Sequence, residues 1–123
     1  MTSANSSPQG DDANGAGEVV SLRSFGDRLL DEARAAGSGR AARTIIALPG
    51  LRTTLLALAA GRELADHQAP GSATIACLSG EATLATGDRE WRLRAHDAVA
   101  IPQEHHRLLA ERDTLVLLTV RLD

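Results

Sequence analysis

Four histidines and one cysteine, His67, His96, His105, His106 and Cys77, are the side chains of this 123-residue sequence best suited to ligand chemistry. Imidazole nitrogens are donors to iron, manganese, nickel or zinc, thiolates bind zinc, and carboxylates such as Glu63 and Asp66 complete such shells. Alternation along an extended chain puts His67 and Ala69 on one side of a strand. It puts Ala73, Ile75 and Cys77 on one side of the next. With His106 on the same side, these six residues line one pocket, two imidazoles among methyl groups. Two imidazoles hold a divalent ion weakly, because a tight site uses at least about three protein ligands. The candidates for a third are Glu63, Asp66, Cys77 and His105.

Each of these residues also has a plainer reading. His67 can sit at the pocket mouth, hydrogen-bonded and nothing more. His105 and His106 are adjacent, so in a strand they point to opposite faces and one belongs to the surface. His96 stands before a turn and is read as exposed. Cys77 lies in an apolar run and reads as a small buried hydrophobe, since a reactive thiol needs an exposed, electropositive setting. No nucleophile-elbow order of Ser, His and Asp is present, and neither Gly37-Ser38-Gly39 nor Gly15-Ala16-Gly17 has a phosphate-loop pattern.

Composition removes other classes. The net charge is -3, and Phe25 and Trp91 are the only members of the Phe, Trp and Tyr set. A nucleic-acid binder would carry a basic face or a platform of stacking rings, so no nucleic-acid partner is expected. All 13 basic residues are Arg, which with the abundance of Ala and Gly reads as coding bias. A single Cys excludes an internal disulfide and a zinc-finger spacing. No apolar run approaches the roughly 20 residues of a membrane span, and the first 17 residues have no basic-then-apolar leader pattern. The expectation is a cytoplasmic protein without a membrane partner.

The elements that must position the candidate residues are short. Residues 1–17 are small and polar and read as a disordered tail. Residues 18–39 hold an amphipathic helix from Ser21 to Ala36. Leu22, Phe25, Leu29, Leu30 and Ala33 form its apolar stripe, Ser21 or Ser24 caps it, and Gly37-Ser38-Gly39 ends it. Residues 40–123 form an all-β domain of about eight antiparallel strands: 43–48, 53–59, 73–78, 82–86, 90–94, 98–101, 107–110 and 114–122. Turn signals at Pro49-Gly50, Ala60-Gly61, Pro70-Gly71, Ser79-Gly80, Gly87-Asp88 and Arg112-Asp113 separate them. Leu55-Leu56-Ala57-Leu58 and Leu115-Val116-Leu117-Leu118 are apolar on both faces. Their outer face needs a cover, either the helix or a second copy in a homodimer.

The spacing of the central motifs resembles that of small single-domain bacterial cupins over roughly Thr44 to Val120. Gly61 stands before His67, Pro70-Gly71 precedes a strand, and Leu78-Ser79-Gly80 and Gly87-Asp88 mark tight turns. The second motif starts at His96-Asp97, where Gly-Asp is usual, and continues through Val99, Ile101 and Pro102 to His106. Glu104 stands where a Gly is common. The resemblance implies an RmlC-like jelly roll. It places His67 and His106 at two of the metal-ligand positions, with Ala69 and Ala73 where a second His and a Glu would stand.

Three functional readings follow. The first is a small-molecule-binding, sensor or accessory protein with an incomplete metal site and little or no catalysis. The second is a metal-dependent oxygenase or isomerase acting on a small organic substrate, its iron, manganese, nickel or zinc weakly held by His67 and His106. The third is a homodimeric structural module with a filled interior.

Overall fold

Ser21 starts the helix for a simple reason: its hydroxyl oxygen accepts the Ser24 N–H at 3.2 Å, filling one of the donors that a first turn leaves over. In the computed structural model, which describes residues 13–67 and 71–122 with Asp66 and His67 by their backbone alone, this helix, α1, runs over Leu22–Ala35. The Ala36 N–H closes it on the Glu32 carbonyl at 2.9 Å. Of the expected 1–17 tail, residues 1–12 lie outside the described residues. Asn14 bridges to Ile46, donating to the Ile45 carbonyl at 3.0 Å and accepting from Ala47 at 3.1 Å.

Nine strands follow among the described residues: β1 Arg40–Leu48, β2 Leu51–Leu58, β3 Glu63–His67, β4 Ala73–Ser79, β5 Glu81–Ala85, β6 Glu90–Arg94, β7 Ala98–Ala100, β8 His106–Ala110 and β9 Thr114–Arg121. The count of about eight missed β3. Its run contains one large apolar residue, Leu64, so no period shows, and pairing with β8 is what makes it a strand. Strands β1 and β2 also begin earlier than expected. Their hairpin pairs continuously from Leu48↔Leu51 to Arg40↔Leu58, with one shift near Ile45, so the polar ends are carried by the ladder.

The strands form two antiparallel sheets, ordered β1-β2-β9-β4-β7 and β3-β8-β5-β6. Between them lies the inner apolar layer: Leu56 and Leu58 from β2, Ala73, Ile75 and Cys77 from β4, Ala82 and Leu84 from β5, Leu108 and Ala110 from β8, and Val116 from β9. A second layer holds Leu55, Ala57 and Leu115 on the outer face of the five-stranded sheet, against Leu29 and Ala33 of α1. This explains the two-faced strands, since Leu56 and Leu58 point inward while Leu55 and Ala57 lie under the helix. Of the two covers the sequence allowed, the helix supplies this one. Burying Leu29 there contributes about 1.5–3 kcal/mol.

Two glycines make the close approaches possible. A Cβ on Gly26 would strike the Leu115 side chain, so its absence lets α1 settle on β9. Gly80, at φ +85 between β4 and β5, lies against the backbone of Asp113 and Thr114. A brace fastens the helix end to the same region. Arg34 Nε donates to Asp113 Oδ2 at 2.7 Å, and Asp113 Oδ1 accepts the Ala60 N–H at 2.9 Å.

Candidate functional site at the barrel rim

The β3–β8 ladder brings the two key histidine positions together. Leu64 pairs with Leu108, and after a register shift His67 pairs with His106. Three residue steps on β3 therefore match two on β8, so β3 carries one extra residue, a bulge at 65–66. His106 alternates with Leu108 and Ala110, both buried in the inner layer, and so stands on the inward side of β8. The bulge restores position 67 to that same side of the ladder, where strict alternation from Leu64 would have put it on the other.

His106 is half-buried, and its Nδ1 lies 3.1 Å from the Glu104 carbonyl oxygen. A proton on Nδ1 satisfies that carbonyl, so the ring is held by its own loop with Nε2 left for a ligand. His105, just before β8, is exposed, as the opposed faces of adjacent strand residues require. His105 and His106 both line a pocket of about 220 Å³ with Ala85, Thr86, Gly87 and Arg107. The pocket opens where β5 and β8 part, beyond their last pair, Ala85↔Arg107.

The β4 residues of the expected pocket occupy a different setting. Ala73, Ile75 and Cys77 are all buried in the inner apolar layer, as alternation requires, and they do not line the rim pocket with His106. Ala69 lies outside the described residues. The Cys77 thiol is fully buried and directed at carbonyls of its own turn, Ser79 at 3.5 Å and Gly80 at 3.9 Å. Burial pushes its pKa up, and the negative charges of Asp97 and Glu81 add to that shift. A thiol kept protonated in this way is a poor metal ligand.

His96 is exposed, and it adopts φ +78, the left-handed region that favours glycine. The backbone of this turn thus has the shape that a Gly-Asp motif would give it, although His stands there. Its N–H donates to the Cys77 carbonyl at 2.8 Å, which fixes the turn to β4. The residues that sequence reasoning did not single out are Thr86 and Arg107. Thr86 resembles any strand-end residue and Arg107 any wet-face cation, so only the parting of β5 and β8 gathers them with the histidines.

The described part of the donor set is smaller than the complete shell that the resemblance implies. Ala73 offers a buried methyl where a carboxylate would stand, and no group of three His, Cys, Asp or Glu that could hold a metal ion gathers among the described residues.

Comparison with protein-family models and with the sequences of curated proteins finds no match. Solved structures do match. A conserved protein of unknown function from Streptococcus pyogenes shares 20% identity at a TM-score of 0.68, over 96% of this chain and 98% of its own. A cupin superfamily protein from Desulfitobacterium hafniense shares 18% identity at a TM-score of 0.64, over 68% of this chain and 78% of its own. The salicylate 1,2-dioxygenase from Pseudaminobacter salicylatoxidans shares 22% identity at a TM-score of 0.68, over 78% of this chain but 32% of its own. Likeness at these identities reports on architecture and not on chemistry. With two antiparallel sheets enclosing one apolar layer and these structural neighbours, the chain has the cupin fold, an RmlC-like jelly roll carrying one N-terminal helix.

Proposed function

We propose that this chain is a small-molecule-binding protein of the cupin fold, with its site at the barrel rim around His106 and His67 and with little or no catalytic activity. The observation that carries the reading is the register pair His67↔His106, together with an Ala73 whose methyl is buried in the core. A half-buried imidazole at the rim, with a second histidine position paired to it across the ladder, suits orientation of a small ligand, which needs few convergent polar groups. A sensor or accessory role is the use such a site serves.

One specific observation favours a second reading. The Nδ1 contact of His106 with a backbone carbonyl is the arrangement that metal-ligating histidines usually have. On that reading His67 and His106 would hold a divalent ion, which would supply the Lewis-acid or redox chemistry that an oxygenase or isomerase of a small organic substrate needs.

Elemental analysis separates the two. The protein is purified without an affinity tag or chelator after growth with added iron, manganese, nickel and zinc. Metal well below one equivalent supports the binding reading. One equivalent that disappears in the His67→Ala, His106→Ala double variant overturns it in favour of the metal enzyme.

A further inference from the structure

The rim pocket has a size and a charge that narrow its ligand. Its volume of about 220 Å³ is that of about seven liquid waters, below the range of about 300–1,000 Å³ that drug-sized ligands fill. A metabolite of a few heavy atoms matches that volume. Among the described lining residues the one fixed charge is the guanidinium of Arg107, and this side chain forms no ion pair with any described residue. Acidic residues stand nearby, but among the described residues none lines the pocket. Asp88 receives the Thr86 hydroxyl at 3.3 Å, Glu90 is the partner of Ala85 on its far side, and Glu104 meets His106 through its carbonyl.

A guanidinium is a donor only, and its planar fork matches the paired oxygens of a carboxylate or phosphate. We infer that the rim pocket takes a small oxyanion, a carboxylate or phosphate of a few heavy atoms, held by Arg107 against the rim that His105 and His106 form. The inference rests on the binding reading above and deepens it by naming the charged group of the ligand.

The test follows the ring signals of the histidines by NMR at low ionic strength, so that salt does not screen an exposed cation. Malonate, acetate and inorganic phosphate are titrated into the full chain, and a panel of neutral alcohols and amides is run beside them. Saturable shifts of the His105 and His106 signals are expected with at least one oxyanion. Affinity should fall about tenfold or more in Arg107→Gln and stay unchanged in Arg94→Gln, an exposed cation on the β5–β6 hairpin. Both side chains are exposed, so neither change disturbs the core. Shifts with malonate and not phosphate assign a carboxylate, and the reverse assigns a phosphate. Shifts that survive Arg107→Gln overturn the inference. Response to neutral molecules alone overturns it while leaving the binding reading standing, and silence to every probe removes both.

Discussion

His67 and His106 are partners across the β3–β8 ladder only because β3 spends one more residue than β8 between this pair and the pair Leu64↔Leu108. Were the intact strand paired regularly from Leu64↔Leu108, position 67 would stand opposite position 105, on the other side of the sheet from His106. The first prediction concerns that residue. Deleting Ala65 leaves two residue steps on each strand between the two pairs, so it should regularise the ladder and keep His67 opposite His106, with the fold retained. Backbone NOEs between His67 and His106, whose Cα atoms as ladder partners lie about 4.5–5.5 Å apart, should be present in both the parent and the deletion variant. Their loss in the variant would show that the bulge, and not the pairing of β3 with β8, sets the register.

The turn before β7 holds a non-glycine residue in a left-handed conformation, His96 at φ +78. A side chain there costs about 1–2 kcal/mol, while glycine loses more chain entropy on folding, roughly 0.5–1 kcal/mol. His96→Gly should therefore stabilise by up to about 1 kcal/mol, read as a rise in the midpoint of urea unfolding without a change of slope. A lower midpoint would show that the imidazole contributes more than its backbone conformation costs.

Gly80 presents the opposite case. At φ +85, an added Cβ would collide with the Asp113 carbonyl and approach Thr114 Cα at 2.8 Å, and these are backbone atoms that cannot swing away. Left-handed strain together with overpacking gives an expected loss of about 2–4 kcal/mol for Gly80→Ala. Urea unfolding of the variant measures it, and a near-neutral result would mean that the β8–β9 turn moves freely.

The Arg34–Asp113 brace makes one part of the stability dependent on pH. The hydrogen bond from Arg34 holds the Asp113 carboxyl below its ordinary pKa, with the Ala60 N–H as a second cause. In the window between the folded and unfolded values the unfolded chain binds more protons, so stability rises with pH there. The contribution is complete above the ordinary Asp range and is lost as pH falls through the lower, folded value. Asp113→Asn should flatten this acid limb in thermal melts and speed hydrogen exchange at the Ala60 N–H. Parallel acid limbs in the two proteins would exclude the brace as a titrating element.

Cys77 should be silent toward thiol reagents in the native protein at neutral pH. It is fully buried, and burial raises its pKa, so both access and thiolate fraction are low. Labelling with an aromatic disulfide should appear only along the unfolding transition in denaturant. Stoichiometric labelling under native conditions would contradict the burial of β4.

Local pattern made much of this molecule legible. The stripe Leu22, Phe25, Leu29, Leu30 and Ala33 with Ser21 before it determined a helix within a residue at either end, because periodicity and capping are local properties. The alternation of Ala73, Ile75 and Cys77 likewise determined which residues of β4 enter the core. Two decisions belonged to tertiary structure alone. Nothing between Glu63 and His67 signals a strand with a bulge, since a ladder is defined by its partner, and β8 lies some 40 residues further on. Nor does any local pattern unite Thr86 and Arg107 with His105 and His106, because their common pocket exists only where two paired strands separate. Periodicity reports which face a residue takes, and pairing between distant segments settles which neighbours it meets there.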